Sequence, residues 1–388
     1  MKKKLLTLIA CCALLASCSS NKSNQSEKEE TLKVSTEKVE LTDSAFFAQT
    51  RILPLETTDA SLVQSINAIC MAGDTLFLLD NRQQKIFIFD GNGKFINAIH
   101  DIGNGPKEYV ALSDISIQNG LLAVLCNRPY KIMYYSYDGQ FVKERNVSDY
   151  FRNFATTDRY TYYYSTAPLG KRIFNVYDEQ NGTEKQIPFP DGKYMGAEAQ
   201  EEGTIYRVSA GRQVTEGHSV LFTWPFDYTI YKADNGEVKA LYTIDFGERT
   251  LPKELLEQPM NVFEFTQLCA KEGYVHTIED MVENEDYLIF KTNPWIFLID
   301  KQERTVKPCS FIRVTEFMGG GSNDYLAVKG TDMLAQSYPP FLFKGLMRNV
   351  IAQNLLPHNE LADQFARVYK ELKDEDNPVL LLFQFPRK

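Results

Sequence analysis

Between Leu76 and Tyr109 the chain reads LFLLDNRQQKIFIFDGNGKFINAIHDIGNGPKEY, that is strand, turn, strand, Asp-Gly-Asn-Gly turn, strand and a glycine-rich corner. A run that returns in the same order constrains a fold more than any single motif, because each copy must bury its faces against the next. Ser65–Met71, Thr75–Asp80, Lys85–Asp90 and Lys94–Ile99 read as the strands of a first unit. Asp114–Gln118, Leu121–Cys126, Lys131–Tyr137 and Gln140–Arg145 repeat them, with Gly93 and Gly139 at the same turn 46 residues apart.

A third unit follows in Tyr160–Ser165, Ile173–Asp178 and Thr183–Ile187, and a fourth in Ser219–Thr223, Tyr228–Ala233 and Val238–Ile244. Their hinges, Asn181-Gly182 and Asn235-Gly236, are common two-residue hairpin turns because both residues accept positive φ. His276–Val282, Tyr287–Lys291, Trp295–Asp300 and Thr305–Ile312 make a fifth unit. Units of this length cannot bury two faces alone, so they stack radially as a propeller. A sixth blade is assembled from Tyr325–Lys329, Met333–Ser337 and Val379–Phe385, with Gln49–Leu55 as its outermost strand, joining the two chain ends. The expectation is an all-β, six-bladed β-propeller of four-stranded antiparallel blades over residues 45–388. Helical insertions fall at about 251–271 and 341–373, the latter with Asn359 as an N-cap. The 21 tyrosines and 25 phenylalanines agree with a strand-rich chain.

The N-terminus carries an address. Lys2, Lys3 and Lys4 precede an apolar run, Leu5 to Leu14, too short to span a bilayer, and Leu15-Ala16-Ser17-Cys18 closes it. This resembles a bacterial lipoprotein signal: residues 1–17 are removed, and Cys18 becomes the acylated first residue. Residues 18–44, rich in Ser, Asn, Lys and Glu, are expected to be a flexible tether. The expected location is the cell envelope, on the outer membrane, facing the periplasm or the surface. Losing the three lysines takes the formal charge from −9 to −12, which opposes binding to nucleic acid. Cys70, Cys126, Cys269 and Cys309 have no CxxC spacing and read as buried thiols.

At Leu76–Tyr109 the chain resembles an NHL-type repeat, and the domain from about Phe46 onward is similar to bacterial six-bladed propeller lipoproteins of the NHL or TolB-like kind. Lys107 stands where that corner often has glycine, and the corner recurs only loosely, as Gly319 to Tyr325. The resemblance implies fold and location rather than a ligand.

In a propeller the turns between second and third strands open on one face with the links between blades, around the channel mouth. Ligands bind on such loop-bearing concave faces. The residues expected there are Asn81, Arg82, Asn127, Arg128, Tyr130, Trp224, Asn293, Trp295 and Tyr338, joined by Lys107, Glu108 and Tyr109 of the corner. Pro168, Pro225, Pro294 and Pro339 share those turns. Aromatic rings suit sugar or apolar side-chain surface and Arg forks take carboxylates, so a glycan, peptide or envelope protein is the expected partner.

Catalysis has less support. His100, His218, His276 and His358 lack metal-ligand spacing, there is no GxSxG elbow, and GNGP lacks the helix start that a phosphate loop needs. Hence no metal or cofactor is expected. The alternative is a hydrolase or lyase in which Asp80, Glu108 and Asp300 meet at the channel mouth as acid and base, with calcium as a candidate ion.

Overall fold

Hairpins form where the sequence supplies the residues that a tight turn needs. Asn235 and Gly236 take φ of 50° and 75° and close the pair Asp234↔Glu237, while Gly93 and Gly139 take 80° and 89° in their own turns. The computed structural model describes residues 30–166, 172–187, 214–216, 219–224, 226–258, 260–293, 295–314, 322 and 324–388. The signal segment, Cys18, Pro168, Pro225, Pro294, His218 and most of the second glycine corner lie outside the described residues.

Strands β1 (Glu30–Lys33) and β2 (Gln49–Pro54) precede the repeat. The first unit holds β3 (Ala68–Ala72), β4 (Thr75–Asp80), β5 (Lys85–Asp90) and β6 (Phe95–Ile99). The second holds β7 (Ala111–Gln118), β8 (Leu121–Arg128), β9 (Tyr130–Tyr135) and β10 (Phe141–Asn146). In the third are β11 (Asn153–Thr156), β12 (Tyr160–Thr166), β13 (Arg172–Asp178) and β14 (Thr183–Gln186). β15 (Val214–Glu216), β16 (Val220–Phe222), β17 (Thr229–Asp234) and β18 (Glu237–Asp245) make the fourth, and helix α1 (Val262–Glu272) follows it. The fifth has β19 (Ile278–Glu283), β20 (Tyr287–Thr292), β21 (Ile296–Asp300) and β22 (Thr305–Pro308). The chain ends with β23 (Leu326–Lys329), β24 (Met333–Tyr338), α2 (Pro340–Ala352), α3 (Glu360–Glu371) and β25 (Val379–Gln384).

The first strands β3, β7, β11, β15, β19 and β23 neighbour one another in that order, and β23 returns to β3. The result is an all-β propeller arrangement with few helices. Its sheets differ from the expected set of separate four-stranded blades. Among the described residues four sheets are single units, one of them widened to five strands by β1, and the remaining sheet has eight strands in the order β2-β25-β24-β23-β3-β4-β5-β6. Its halves join through a short parallel pairing, Val328↔Ile69 and Lys329↔Cys70, because the two first strands come within hydrogen-bonding reach where the ring closes.

β2 pairs antiparallel with β25 from Gln49↔Gln384 to Pro54↔Val379, so both ends of the domain share one sheet. The tether expected through residue 44 ends earlier. β1 pairs in parallel with β18, and Val34, Val39 and Thr42 bridge to Val306, Cys309 and Arg313. Apolar anchors explain this order: Leu32 and Leu41 are buried in a stretch that otherwise reads as polar.

Period-two alternation then divides the core. Phe77, Leu79, Ile86 and Ile88 pack with Ile115 and Val124 of the second unit. Leu76, Leu78, Phe87 and Phe89 face the other way, toward Val328, Ala335 and Leu380. A strand covered on both faces reads as a near-continuous apolar run, which is why β4 and β5 are TLFLLD and KIFIFD. Outside the sheets, Asn261 caps α1 in a reciprocal box with Glu264, and Gly273 ends it at φ 76°. Asn359 caps α3 by accepting from the Ala362 N–H. Among the described residues no helix is long and apolar enough to cross a membrane.

Candidate functional site

The turns β4–β5, β8–β9, β16–β17 and β20–β21 lie on one face with the links between units, and the structure separates the residues expected there into two kinds. Arg82, Lys107, Arg128 and Tyr130 are exposed. Lys107 holds its Nζ 5.2 Å from the Phe141 ring centre. The others build the scaffold. Tyr109 is fully buried and its hydroxyl donates to the Gln84 and Ile99 carbonyls at 2.9 and 3.2 Å. Glu108 accepts from the Gly105 N–H at 2.7 Å and lies so close to Gly103 that a Cβ there would meet its Oε2 at 2.0 Å. Asn293 clamps a loop, accepting from the His276 N–H at 2.8 Å and donating to the Tyr274 carbonyl at 2.7 Å. Trp224 is buried between sheets against Tyr164, Phe174 and Phe222, and Tyr338 is buried with its hydroxyl on Gln336. Asn81 is half-buried, its N–H on the Asn67 side chain, and Asn127 is half-buried at the end of β8.

The three carboxylates of the enzymatic alternative do not converge. Asp80 closes β4 on the site face, and its carboxylate accepts from the Gln64, Ser65, Arg82 and Gln83 N–H groups. Burial works to raise its pKa, but hydrogen bonds from the Gln83 and Ser65 side chains and the Gln64 backbone outweigh it and hold the group below the usual carboxylate range. Asp300 ends β21, a third strand, and therefore lies at the opposite face, paired with Lys388 at 2.7 Å. Glu108 is committed to its own corner. Each is an organiser of a turn.

The site face does carry a groove of about 600 Å³ at its rim, where the fourth and fifth units meet the N-terminal segment. Trp295 forms its wall. Its backbone is fixed by two contacts with Thr292, whose N–H donates to the Trp295 carbonyl at 2.8 Å and whose Oγ1 accepts from the Trp295 backbone N–H at 3.3 Å. Gly273 at the end of α1 abuts the ring: a Cβ there would lie 3.2 Å from the indole Cη2. The first helical insertion thus seats the tryptophan. Arg249 places its guanidinium 4.5 Å from the Trp295 ring centre, and among the described residues no carboxylate pairs with it. A guanidinium stacked on an indole has its fork held in one orientation. Phe311, 57% exposed, adds a second aromatic surface, and Lys38, Glu40 and Arg313 complete the rim. Cys309 also lines it, but burial pushes its thiol well above the ordinary range, so it offers no thiolate.

Of these residues only Trp295 is a site candidate from sequence. Lys38 and Glu40 fall in the stretch whose composition predicts a tether, while Arg249, Phe311 and Arg313 stand in no second-to-third turn of the repeat. A second cleft, about 560 Å³, opens on the opposite face. Several of its charges are engaged: Arg387 pairs with Asp332, Glu283 takes Lys301 and Ser219, and Arg51 donates to the Gly91 carbonyl.

Residues 29–384 match the family described as Domain of unknown function (DUF4934). The chain belongs to the DUF4934 family. Its match begins beside β1, so the DUF4934 domain includes the segment that walls the groove. A solved Bacteroides fragilis protein described as exported is similar at 20% identity and a TM-score of 0.68, covering 93% of this chain and 100% of that one. At that identity the likeness shows the propeller fold. More distant similarities include a DUF4221 family member from Bacteroides vulgatus, at 12% identity, TM-score 0.49 and coverage of 88% and 98%. Virginiamycin B lyase from Staphylococcus aureus is similar at 12% identity, TM-score 0.42 and coverage of 74% and 80%. Among curated proteins no sequence matches.

Proposed function

We propose that this DUF4934 protein is a noncatalytic binding propeller, anchored in the cell envelope through an acylated Cys18, that holds a glycan, peptide or envelope protein at the groove beside Trp295. The observation that carries the reading is Arg249 stacked on Trp295 in a concave rim site, a charged fork held ready in a chain of opposite overall charge. The eight-stranded sheet is read as two blades, which brings the ring to six, as in the NHL or TolB-like lipoproteins that Leu76–Tyr109 resembles. Supporting that count, six first strands succeed one another around the ring, and only two residue pairs join the two halves of the sheet. The exported description of the Bacteroides fragilis relative supports the location.

The test is equilibrium binding of the full chain, in detergent micelles, to a panel of neutral oligosaccharides, acidic oligosaccharides and peptides. A ligand that binds the native protein and is lost with Trp295→Ala, but kept with Arg82→Ala/Arg128→Ala, supports the groove. Retention by Trp295→Ala with loss in the double variant moves the site to the exposed arginines of the first two units. Cys18→Ser is expected to shift the protein from the membrane to the soluble fraction and to end incorporation of labelled palmitate.

A further inference from the structure

We infer that the groove beside Trp295 takes a carboxylate-bearing sugar, a uronate-type glycan, with Arg249 as its anchor and Glu40 as a built-in competitor for its acid group. The inference rests on the groove reading above and names its ligand class. Three of the four charged residues on the rim are cations, Lys38, Arg249 and Arg313, although the whole chain carries a formal charge of −9. A positive island on an acidic protein attracts anions locally and repels them elsewhere. Trp295 and Phe311 supply flat apolar surface of the kind that covers the C–H faces of a pyranose ring, which a bare anion site does not need.

Glu40 marks a second position where a carboxylate sits. Its carboxylate lies 3.9 Å from Lys38 Nζ and 3.7 Å from Arg313 Nη2, bridging two cations at the length of a loose ion pair. All three side chains are 44–60% exposed, so the bridge contributes little to stability and is readily displaced. Arg249 has no such partner among the described residues, and its fork is open for two parallel N–H···O bonds to a carboxylate. A ligand acid group therefore seats first on Arg249, and a neighbouring one along the glycan replaces Glu40 between Lys38 and Arg313. Because Lys38 and Glu40 belong to the segment that leads from the expected lipid anchor, the rim is part of the path from membrane to propeller.

The experiment is calorimetric titration of the full chain with tetragalacturonate, with the neutral galactose tetramer, and with a tetraglutamate peptide. Expected is galacturonate binding at least about tenfold tighter than the neutral sugar and weakened about tenfold by Arg249→Ala, the scale of one charge-assisted fork. Glu40→Gln is expected to tighten it about threefold, on the scale of an exposed ion pair. Raising salt from 50 to 500 mM is expected to weaken it. Equal affinity for acidic and neutral sugars, both lost with Trp295→Ala, overturns the carboxylate inference while the groove reading stands. Binding of galacturonate unchanged by both Arg249→Ala and Trp295→Ala overturns the groove itself. Binding of tetraglutamate alone overturns the sugar in favour of an acidic peptide, and binding of none of the three overturns the inference. Unaltered circular dichroism and melting in each variant exclude misfolding as the cause of a loss.

Discussion

Lys329 Nζ lies 2.9 Å from Asp114 Oδ2, joining β23 of the last unit to β7 of the second with both side chains at most 2% exposed. The ammonium also donates to the Ile115 carbonyl at 2.9 Å and the Phe154 carbonyl at 2.8 Å, so all three of its protons are used. Asp114 in turn accepts from the Phe154 N–H at 3.2 Å. Strands β7, β11 and β23 are thereby tied together through one buried ammonium. Lys329→Met is expected to destabilise the domain by about 3–5 kcal/mol, because it removes the cation that faces the buried Asp114 carboxylate. Lys329→Met combined with Asp114→Leu is expected to recover most of that loss. Urea unfolding followed by tryptophan fluorescence measures both, and equal losses in the single and double variants would count against a charge-pairing origin.

The corner at Gly103 to Tyr109 makes a second prediction, because its members do different things. Tyr109→Phe removes the one hydroxyl proton that the Gln84 and Ile99 carbonyls share and is expected to cost about 1–2 kcal/mol. Lys107 sits at φ 68°, a conformation that costs an L side chain strain and glycine very little. Lys107→Gly is expected to raise stability by about 0.5–1 kcal/mol. Thermal melting of the two variants should move in opposite directions. A drop with Lys107→Gly would assign the lysine a stabilising contact beyond its place over Phe141.

Local signals made most of the scaffold legible. Apolar runs and the turns at Gly93 and Gly139 give the hairpins of the first two units, Asn-Gly hinges those of the third and fourth, and the likeness of VLLLFQF to IFIFD places β25 and, with it, the closing strand β2. Short, mixed strands were not legible: β11 is NFAT and β15 is VTE, too brief for alternation to register. β1 was hidden for another reason, since its parallel partner lies some two hundred residues away and its composition is that of a linker. The two tryptophans show where turn chemistry stops informing. Trp224 and Trp295 both precede or follow proline in second-to-third turns, yet one is wedged between sheets and the other walls a groove. What distinguishes them is the neighbour each meets, Tyr164 and Phe222 for Trp224, Gly273 and Arg249 for Trp295. The groove itself is drawn from four separated segments, which no spacing rule brings together.

His276 supplies a pH dependence. It is buried against Phe226 and Phe265, with ring centres 6.3 and 5.2 Å away, and desolvation pushes its pKa down from 6.5 to about 4. The unfolded chain therefore takes up a proton near pH 6.5 that the folded chain refuses until about pH 4. Stability from this group is full above pH 6.5, is lost progressively as pH falls to about 4, and changes no further below it. The whole loss is about 3 kcal/mol at 1.36 kcal/mol per pH unit. His276→Leu is expected to flatten that part of the stability profile while keeping the Phe226 and Phe265 contacts. Urea midpoints between pH 4 and 7 test it, and parallel profiles for the two proteins would remove His276 as the cause.

The order of the N-terminal segment is open to an equally direct test. Leu41 is fully buried in the cluster containing Ile296 and Ile312, its N–H donates to Ser310 Oγ at 2.9 Å, and its carbonyl accepts from the Arg313 N–H at 3.1 Å. Three residues earlier, Lys38 is exposed and makes only a loose pair with Glu40. Leu41→Ala is expected to cost about 2–5 kcal/mol, the range for a large buried aliphatic side chain, whereas Lys38→Ala should stay within about 0.5 kcal/mol. A free tether predicts no change from either substitution, because neither residue would have a folded environment to lose. The same pair separates stability from binding: Lys38→Ala is expected to weaken acidic-ligand binding at unchanged melting temperature, since it removes charge from the rim and leaves the wall standing. Hydrogen exchange adds a backbone readout, with the amides of Leu41 and Arg313 protected in the native protein and exposed together in Leu41→Ala.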